Sequence, residues 1–319
     1  MKKQQRIIIY SILILFFVFF TACKIEDTLG ELDNRPPTNW TAVSNSPFTD
    51  SAVRDIIYND NMFIAVGGSN IALSKDGKNW TSVAENIFGT FESDGLNSSI
   101  YFIAFGAGIY VICAYSGKMA WSEDLKNWTI VTDSTFGIDN SDEYKANLIY
   151  GIAYGNGKFV AVGYNGKIAW SEDGKNWNPV VNSSYNETIY SVIFNDDYFL
   201  ASDGYHNTFI SSDGIQWQKT TNFPCFFSIA FDDNMFVYSK KMQIKIIYGN
   251  GYFVGVGGIG YAGQITWSED GLNWVDVKHT TFRNLPITAI AYGDGIFVIG
   301  GAGGSMAYSK VYQIFSIDS

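Results

Sequence analysis

The sequence has few charged residues, few residues that could ligate a metal, and almost no proline. Charged residues make up 16% of its 319 positions, and there are six Pro, three Cys and two His. So little charge argues against long solvated helices and coiled coils. The cysteines and histidines are Cys23, Cys113, Cys225, His206 and His279. Their spacing matches no zinc or haem site, so we expect no metal and no cofactor.

Basic residues are scarcer than acidic ones. The chain has 21 Lys and Arg against 31 Asp and Glu, which gives a net charge of −10. A phosphate backbone binds a positive surface, and this balance excludes the usual electrostatics of such binding. We therefore expect no nucleic-acid partner.

Aromatic residues and glycine are plentiful. The chain contains 24 Phe, 20 Tyr, 9 Trp and 32 Gly, and 47% of its residues are hydrophobic. Aromatic side chains favour pleated, half-buried surfaces, and a chain of this length can bury a large core. The composition predicts an all-β protein.

The N-terminus has the pattern of a secretion signal. Three basic residues precede an uncharged run from Ile7 to Phe20, which is short for a spanning helix. The text Phe-Thr-Ala-Cys at positions 20–23 resembles the lipobox of bacterial lipoproteins, although Leu is usual where Phe20 stands. The resemblance implies that Cys23 is lipidated, palmitate included. The alternative is an uncleaved anchor in which Cys23 is incidental.

This N-terminal pattern predicts three segments. Residues 1–22 are a lipoprotein signal peptide, residues 23–37 a flexible polar tether, and residues 38–319 one folded domain. The resemblance also implies an address in a bacterial cell envelope, lipid-anchored at a membrane and facing away from the cytoplasm. An outer membrane or the cell surface would fit.

A seven-residue pattern, Ser-x-Asp followed by Trp, occurs five times after the tether. The five copies are Ser74-x-Asp76…Trp80, Ser122-x-Asp124…Trp128, Ser171-x-Asp173…Trp177, Ser211-x-Asp213…Trp217 and Ser268-x-Asp270…Trp274. Ser and Asp can bond local backbone groups in a tight turn, and the Gly that follows Asp in four copies suits positive φ. These residues therefore have a structural explanation that needs no ligand.

A second repeated pattern, two aromatics bracketing a Gly, Asn or Asp turn, precedes each of these motifs. Its copies begin at Tyr58, Phe105, Tyr154, Phe194, Tyr248 and Tyr292. Such turns between apolar runs indicate β-hairpins. Each repeat then contains four antiparallel strands, which predicts a β-propeller of four-stranded blades.

The Ser-x-Asp motifs resemble the BNR or Asp-box repeats of sialidase-like propellers and of photosystem II assembly-factor-like propellers. The resemblance covers residues 38–309 and implies the propeller fold. The spacing from Asp to Trp is one residue shorter than in the sialidase form. Asp boxes occur in proteins of many activities, so the resemblance does not identify a reaction.

The two ends of the propeller are predicted to meet. The last repeat lacks the sequence of a fourth strand, and the sequence at Thr38–Val43 resembles the fourth strands of the other repeats. An N-terminal strand is therefore expected to complete the last blade. A seventh hairpin at Phe231–Phe236 lies too close to the next one for a full blade. It is either a truncated blade in a seven-position ring or an insertion in a six-bladed one.

No catalytic constellation is visible in the sequence. The sialidase resemblance implies three arginines that hold a carboxylate, whereas the chain after the signal has only Arg35, Arg54 and Arg283. Carboxylates such as Asp94 and Asp133 lie on long connections and are explained as a solvated rim. We therefore expect no enzyme, with a glycan-active, glycoside hydrolase-like enzyme as the alternative.

The remaining expectation is recognition of a partner. Tyr115, Tyr164, Tyr205 and Tyr261 occupy comparable connections and could surround the channel mouth. Phenols stack on and hydrogen-bond to glycans and peptides, although each ring could instead pack on the next blade. The sequence predicts a monomeric, lipid-anchored binding or assembly module for an envelope protein or glycan.

Overall fold

The computed structural model describes most of the chain from residue 36 onward. The described residues are 36–49, 51–89, 99–114, 116–136, 148–180, 186–232, 235–241, 244–258, 263–278, 282 and 285–311. Cys23, Tyr115 and Tyr261 lie outside them. Residues 37–310 form one compact unit, and the two ends of the chain form another. No helix within the described ranges is long and apolar enough to cross a membrane.

Strands account for nearly all the regular structure. The first eight elements are β1 (Thr41–Ala42), β2 (Asp55–Asn59), β3 (Met62–Gly67), β4 (Asn70–Ser74), β5 (Thr81–Glu85), β6 (Ile100–Gly106), β7 (Ile109–Ala114) and β8 (Met119–Ser122). They are followed by β9 (Thr129–Ile130), β10 (Ile149–Gly155), β11 (Lys158–Gly163), β12 (Ile168–Ser171), β13 (Asn178–Pro179), β14 (Ser191–Phe194), β15 (Phe199–Ser202), β16 (Thr208–Ser211) and β17 (Gln218–Thr220).

The remaining strands are β18 (Ser228–Phe231), β19 (Phe236–Ser239), β20 (Ile244–Gly249), β21 (Tyr252–Gly257), β22 (Gln264–Ser268), β23 (Val275–Asp276), β24 (Ile287–Gly293), β25 (Ile296–Gly301) and β26 (Met306–Lys310). Two short 3₁₀ turns, Tyr164–Gly166 and Ala302–Gly304, join second to third strands. This strand content confirms the all-β prediction.

The strands form six four-stranded antiparallel sheets and one two-stranded sheet. We number these sheets as blades: blade 1 is β2–β5, blade 2 β6–β9, blade 3 β10–β13, blade 4 β14–β17, blade 5 β18–β19, blade 6 β20–β23, and blade 7 β24–β26 with β1. Neighbouring first strands pack against one another in chain order around most of the ring, and β24 returns to contact β2. Blade 4 meets blade 5 in an apolar cluster that contains Leu200 and Ile229. The predicted propeller ring of four-stranded blades is confirmed.

The ring closes as the sequence predicts. β1 pairs antiparallel with β26, with Thr41 opposite Tyr308 and Ala42 opposite Ala307. The N–H of Val43 extends the pairing by donating to the carbonyl of Met306 at 2.9 Å. The first strand of the propeller therefore supplies the fourth strand of its last blade, which covers an otherwise open sheet edge.

Blade 5 occupies a position in the ring of its own. β18 packs against β20 of blade 6, and Ile229 of β18 joins Leu200 of blade 4 in one apolar cluster. Of the two alternatives left open by the sequence, these contacts favour the truncated blade in a seven-position ring.

The five Ser-x-Asp turns share one set of hydrogen bonds. In blade 3 the hydroxyl of Ser171 donates to Asp173 Oδ1 at 3.0 Å, and the N–H groups of Lys175 and Asn176 donate to the same oxygen at 2.9 and 2.8 Å. The indole N–H of Trp177 donates to the carbonyl of Gly174 at 3.0 Å. Equivalent bonds fix the turns that contain Asp76, Asp124, Asp213 and Asp270.

The residue after Asp in each turn contacts the preceding blade. Gly174 has a φ of 67°, and a Cβ built on it would lie 2.7 Å from Val111 Cγ2 of blade 2. Gly77 and Gly214 approach blades 7 and 3 at the same distance. Leu125 takes the same left-handed conformation without being glycine, and its side chain is buried in the cluster shared with blade 1.

The last blade shows what happens to this motif without its aspartate. Ser309 stands where the motif serine ends the third strand, but Val311 follows in place of Asp. Among the described side chains, the Ser309 hydroxyl is one of two buried polar groups with no hydrogen-bond partner. The serine of the motif is thus paired only where the turn aspartate is present.

Hydrogen bonding holds the turn aspartates in the ionised form. Burial alone would raise the pKa of Asp173, but the N–H and side-chain amide of Asn176 and the N–H of Lys175 outweigh it and lower the pKa to about 2. Asp76 has the same balance of burial and hydrogen bonds, with a pKa of about 2. Hydrogen bonds led by the N–H of Asn127 hold the pKa of Asp124 well below its usual range.

We expect acid to unfold this propeller through these turns. A carboxyl whose pKa is lower in the folded state stabilises fully above its unfolded pKa of about 3.9, and the stabilisation is lost as pH falls through the folded value. Thermal unfolding followed by circular dichroism should give a melting temperature that falls steeply from about pH 4 to about pH 2.

The matched variants are Asp173→Asn and Asp196→Asn, because Asp196 lies exposed in a hairpin. Asp173→Asn should lower the melting temperature at pH 7 and make its decline below pH 4 shallower. Identical acid profiles for the two variants would contradict the assignment.

Candidate functional site

The two faces of the propeller carry different turns. Because the strands alternate in direction, the face at which first strands begin also carries the turns between second and third strands and the connections between blades. We call this the upper face. The hairpins and the Ser-x-Asp turns lie on the opposite, lower face. Of the predicted recognition residues, the two that the structure describes, Tyr164 and Tyr205, belong to the upper face.

One position on the upper face repeats around the channel mouth. It is the residue four places before the first hairpin aromatic of each blade, which we call the rim position. In chain order its occupants are Arg54, Tyr101, Tyr150, Tyr190, Phe227, Ile244 and Thr288. Blades 2 to 5 therefore present a run of four consecutive aromatics, and the other blades present Arg, Ile and Thr.

Three rim aromatics and a turn tyrosine form one group, which we call the aromatic cluster. The ring of Tyr190 lies 4.9 Å from that of Tyr150 and 5.3 Å from that of Phe227, measured between centroids. Tyr205 lies edge-on to both, 6.1 Å from Tyr190 and 5.3 Å from Phe227. The Tyr205 side chain is 62% exposed, so the cluster offers solvent an aromatic surface.

A buried aspartate holds Tyr205 in place. Asp203 is 2% exposed, and its Oδ1 accepts the N–H groups of Tyr205, His206 and Asn207 at 2.7–2.9 Å. Burial would raise the pKa of Asp203, but these bonds lower it, so the carboxylate is ionised at neutral pH. The adjoining Gly204 has positive φ and packs directly under the ring of Phe227.

The other side of the mouth is polar. The guanidinium carbon of Arg54 lies 4.4 Å from the centroid of the Tyr101 ring, which is a cation–π contact. Lys245 of blade 6 forms a 3.2 Å ion pair with Asp55 of blade 1, and the other carboxylate oxygen of Asp55 accepts the N–H of Ile103 at 3.2 Å. Asp55 of blade 1 thus contacts blades 2 and 6. Arg54 and Lys245 place two positive charges at the mouth of a protein whose net charge is negative.

Two of the four predicted tyrosines can be compared in the structure. Tyr115 and Tyr261 lie outside the described residues. The turn from Gly163 to Lys167 and the turn from Asp203 to Asn207 are closed by the same backbone bond, so Tyr164 and Tyr205 stand one position apart. Tyr164 is half-buried and Tyr205 is mostly exposed, so the two tyrosines occupy neighbouring rather than identical positions of the turn. The recognition role of the four tyrosines stays a prediction.

Sequence reasoning missed the rim position and Asp203. A signal for the rim existed, since the aromatics of blades 2 to 5 each stand four residues before a hairpin aromatic. No repeated sequence pattern predicts the role of Asp203, because an aspartate occurs at this position in one blade only. The role of Asp203 depends on which backbone N–H groups of the turn donate hydrogen bonds to its carboxylate.

Cys113 and Asp133 both have structural surroundings. Cys113 is fully buried, and burial raises the pKa of its thiol. Asp133 accepts the N–H of Thr135 beside a cavity of about 220 Å³ that Phe88 also lines. No three His, Cys, Asp or Glu side chains within the described ranges gather in a way that could hold a metal. Aromatic stacking and charge recognition are the chemistry that this face offers.

Comparison with solved structures supports the fold. YCF48 from Cyanidioschyzon merolae matches with a TM-score of 0.60 and 15% identity, over 85% of this chain and 98% of that one. A chain of the mitotic checkpoint complex matches with a TM-score of 0.57 and 11% identity, over 88% and 96%. The computationally designed Ika8 protein matches with a TM-score of 0.55 and 12% identity, over 82% and 97%.

At these identities the likeness identifies the fold alone, and so varied a set does not identify an activity. No protein-family model matches the chain, and no curated protein matches it.

Replacing Asp203 by alanine should lower the free energy of unfolding more than replacing Tyr205 by alanine. Asp203→Ala leaves three backbone N–H groups of a buried turn without their acceptor and should lower the free energy of unfolding by about 1–3 kcal/mol. Tyr205→Ala removes a mostly exposed ring and should cost about 0.5 kcal/mol. Urea denaturation measures both values. A larger loss for Tyr205→Ala would mean that its ring is a packing residue.

Proposed function

We propose that this chain is a non-catalytic binding module that captures a protein or glycan partner at the upper mouth of its propeller. The observation that carries the proposal is the aromatic cluster, in which the centroids of neighbouring rings lie 4.9–6.1 Å apart and the phenol of Tyr205 is exposed to solvent. Tyr side chains supply rigid contact area with a polar tip, which suits both sugar faces and peptide side chains.

The polar side of the mouth adds a preference for partners with negative or planar groups. Arg54 is already oriented over the Tyr101 ring, and Lys245 is 37% exposed beside Asp55. A guanidinium held in this way binds a carboxylate at low entropic cost. We therefore expect a partner that presents an acidic group next to an apolar or sugar face.

A glycan-active enzyme remains the alternative function. Glycoside hydrolysis normally needs one protonated and one ionised carboxyl on either side of a sugar. The carboxylates nearest the mouth are committed to other contacts, since Asp203 binds three backbone N–H groups and Asp55 pairs with Lys245. These contacts favour binding over hydrolysis.

The binding proposal is tested with a triple variant, Tyr150→Ser, Tyr190→Ser and Tyr205→Ser. Partners captured from native envelopes by immobilised wild-type protein, and hits on a glycan array, should weaken by about 10–100-fold, as expected for interface aromatics. Ile130→Ser, which changes an exposed residue of β9, is the control and should bind normally. Unchanged capture by a folded triple variant, or hydrolysis of any glycan by the wild type, would contradict the proposal.

We further propose that the propeller is an Asp-box protein carried outside the cytoplasm on a lipid anchor at Cys23. The support is the charged start, the uncharged run and the small residues before Cys23, together with the recurring Ser-x-Asp turns. Several acyl chains at about 0.8 kcal/mol per buried methylene hold a protein on a membrane stably. The tether would leave the mouth free to meet partners near that membrane.

The anchor is tested by Cys23→Ser in cells fed a radiolabelled fatty acid. We expect the wild type to incorporate label and to fractionate with membranes, and the variant to lose both properties. Cys225→Ser is the matched control and should remain labelled. Label retained by Cys23→Ser would show that this cysteine is not the acceptor.

A further inference from the structure

The second strand of blade 5 has an open edge. In complete blades the second strand is paired on both sides, as β15 is by β14 and β16. Among the described residues, β19 pairs with β18 alone. Only residues 240–243 separate β19 from β20, so the chain has no room for a third strand there. Every second residue of such an edge directs its N–H and C=O outward.

An apolar groove lies beside this edge. It holds about 340 Å³ between β19 and blade 6, and its lining includes Phe236, Tyr238, Thr266, Leu272 and Trp274. Its tryptophan is the most exposed of the five motif tryptophans. Trp274 is 36% exposed, whereas Trp80 and Trp177 are 6% and 7% exposed and Trp128 and Trp217 are partly buried.

The cause of this exposure is the truncation of blade 5. Motif tryptophans pack on the outer strands of the preceding blade, as Trp177 does with Met119 and Val131 of blade 2. Within the part of the chain that the structure describes, blade 5 has no outer strands to receive Trp274. Phe236 of β19 is likewise 36% exposed, whereas the equivalent Phe159 and Phe253 are fully buried.

The complete blades indicate which chemistry fits the groove. Their third strands are short and extended, and all but β26, which ends at Lys310, are uncharged where they pair. Examples are the sequences Ile-Ala-Trp-Ser at Ile168–Ser171 and Met-Ala-Trp-Ser at Met119–Ser122. Each pairs antiparallel to a second strand, and Ile168 and Ala169 are buried between blades. A segment of this kind would match both the backbone edge and the apolar wall of the groove.

Charge at the two ends of the groove indicates a direction. Lys240 and Lys241 directly follow β19 at the upper face, and Lys278 follows β23 there. Glu269 lies at the lower end, within the Ser-x-Asp turn of blade 6. A strand antiparallel to β19 would begin beside the lysines and end beside the glutamate, so acidic residues at its start and basic residues at its end are complementary.

We propose that β19 and the adjoining groove bind an extended segment of a partner protein, which adds to blade 5 as its third strand. The segment is uncharged with a Trp or other large apolar residue at its centre, carries acidic residues at its N-terminal end and basic residues at its C-terminal end, and runs antiparallel to β19. Backbone bonds to the edge give affinity and the groove gives selectivity, as in other strand-addition complexes. This surface is separate from the upper mouth.

The probe is the labelled peptide Glu-Glu-Thr-Ile-Ala-Trp-Ser-Thr-Lys-Lys, with binding to the full chain measured by fluorescence anisotropy. Two control peptides carry the charged pairs exchanged between the ends or Pro in place of Ala. We expect the exchanged peptide to bind several-fold more weakly and the Pro peptide not to bind, since Pro lacks an N–H and disfavours the strand. Hydrogen exchange at residues 236–239 should slow when the first peptide is added.

Leu272→Glu tests the groove, because this side chain is 82% exposed and its replacement leaves the core intact. We expect Leu272→Glu to weaken the peptide at least about tenfold, whereas Ile130→Glu on β9 and the triple mouth variant bind it normally. Absent binding, or binding insensitive to Leu272→Glu, would overturn the proposal.

Two further outcomes would assign the groove to a different occupant. In the first outcome, hydrogen exchange at residues 236–239 is slow in the peptide-free protein and becomes fast when residues 312–319 are deleted. This result would assign the groove to a segment of the chain itself. A dimer dissociated by Leu272→Glu would assign it to a second copy. Either result would overturn the partner proposal.

Discussion

The close approach of neighbouring blades at glycine is the constraint on which the rest of this structure depends. On the inner side of the ring, Gly106 and Gly155 end the first strands of blades 2 and 3 and lie flat against Tyr154 and Phe194 of the following blades. On the outer side, Gly174 of a Ser-x-Asp turn touches Val111 of the preceding blade. A Cβ at any of these three glycines would clash with the neighbouring blade in its present position, so the repeated glycines and aromatics help to set the spacing of the ring.

The Ser-x-Asp turns stabilise the contacts between neighbouring blades. Each aspartate binds backbone groups of its own turn and thereby places the adjoining glycine, or Leu125, against the preceding blade. Ser309, which has no turn aspartate to follow it, shows that the hydroxyl is paired only when the whole turn is present. The motif residues are therefore explained by packing and hydrogen bonding, which leaves recognition to residues that the repeat does not prescribe.

Both proposed binding surfaces lie where the regular repeat is interrupted or where its residues are not covered by a neighbouring blade. Rim residues begin the first strands, where no neighbouring sheet covers them fully, so Tyr150, Tyr190 and Phe227 can gather with Tyr205 without a cost to the core. In blade 5 the missing outer strands uncover Trp274, a residue that the repeat would otherwise bury. A symmetric propeller would have neither an aromatic side to its mouth nor an open edge.

The sequence by itself determined the all-β class, the four-stranded repeats, the closing strand at Thr38–Val43 and the presence of an extra hairpin at Phe231–Phe236, because each follows from local patterns that recur along the chain. The contacts of that hairpin in the ring were needed to favour a truncated blade over an insertion. The sequence also determined which residues form the Ser-x-Asp turns, since their bonds lie within seven positions. Only the tertiary structure decided which aromatics meet at the mouth, how Asp203 offsets Tyr205 from Tyr164, and which face blade 5 leaves open. These depend on contacts between blades, and residues that touch across blades are distant in sequence and carry no mark of their partners.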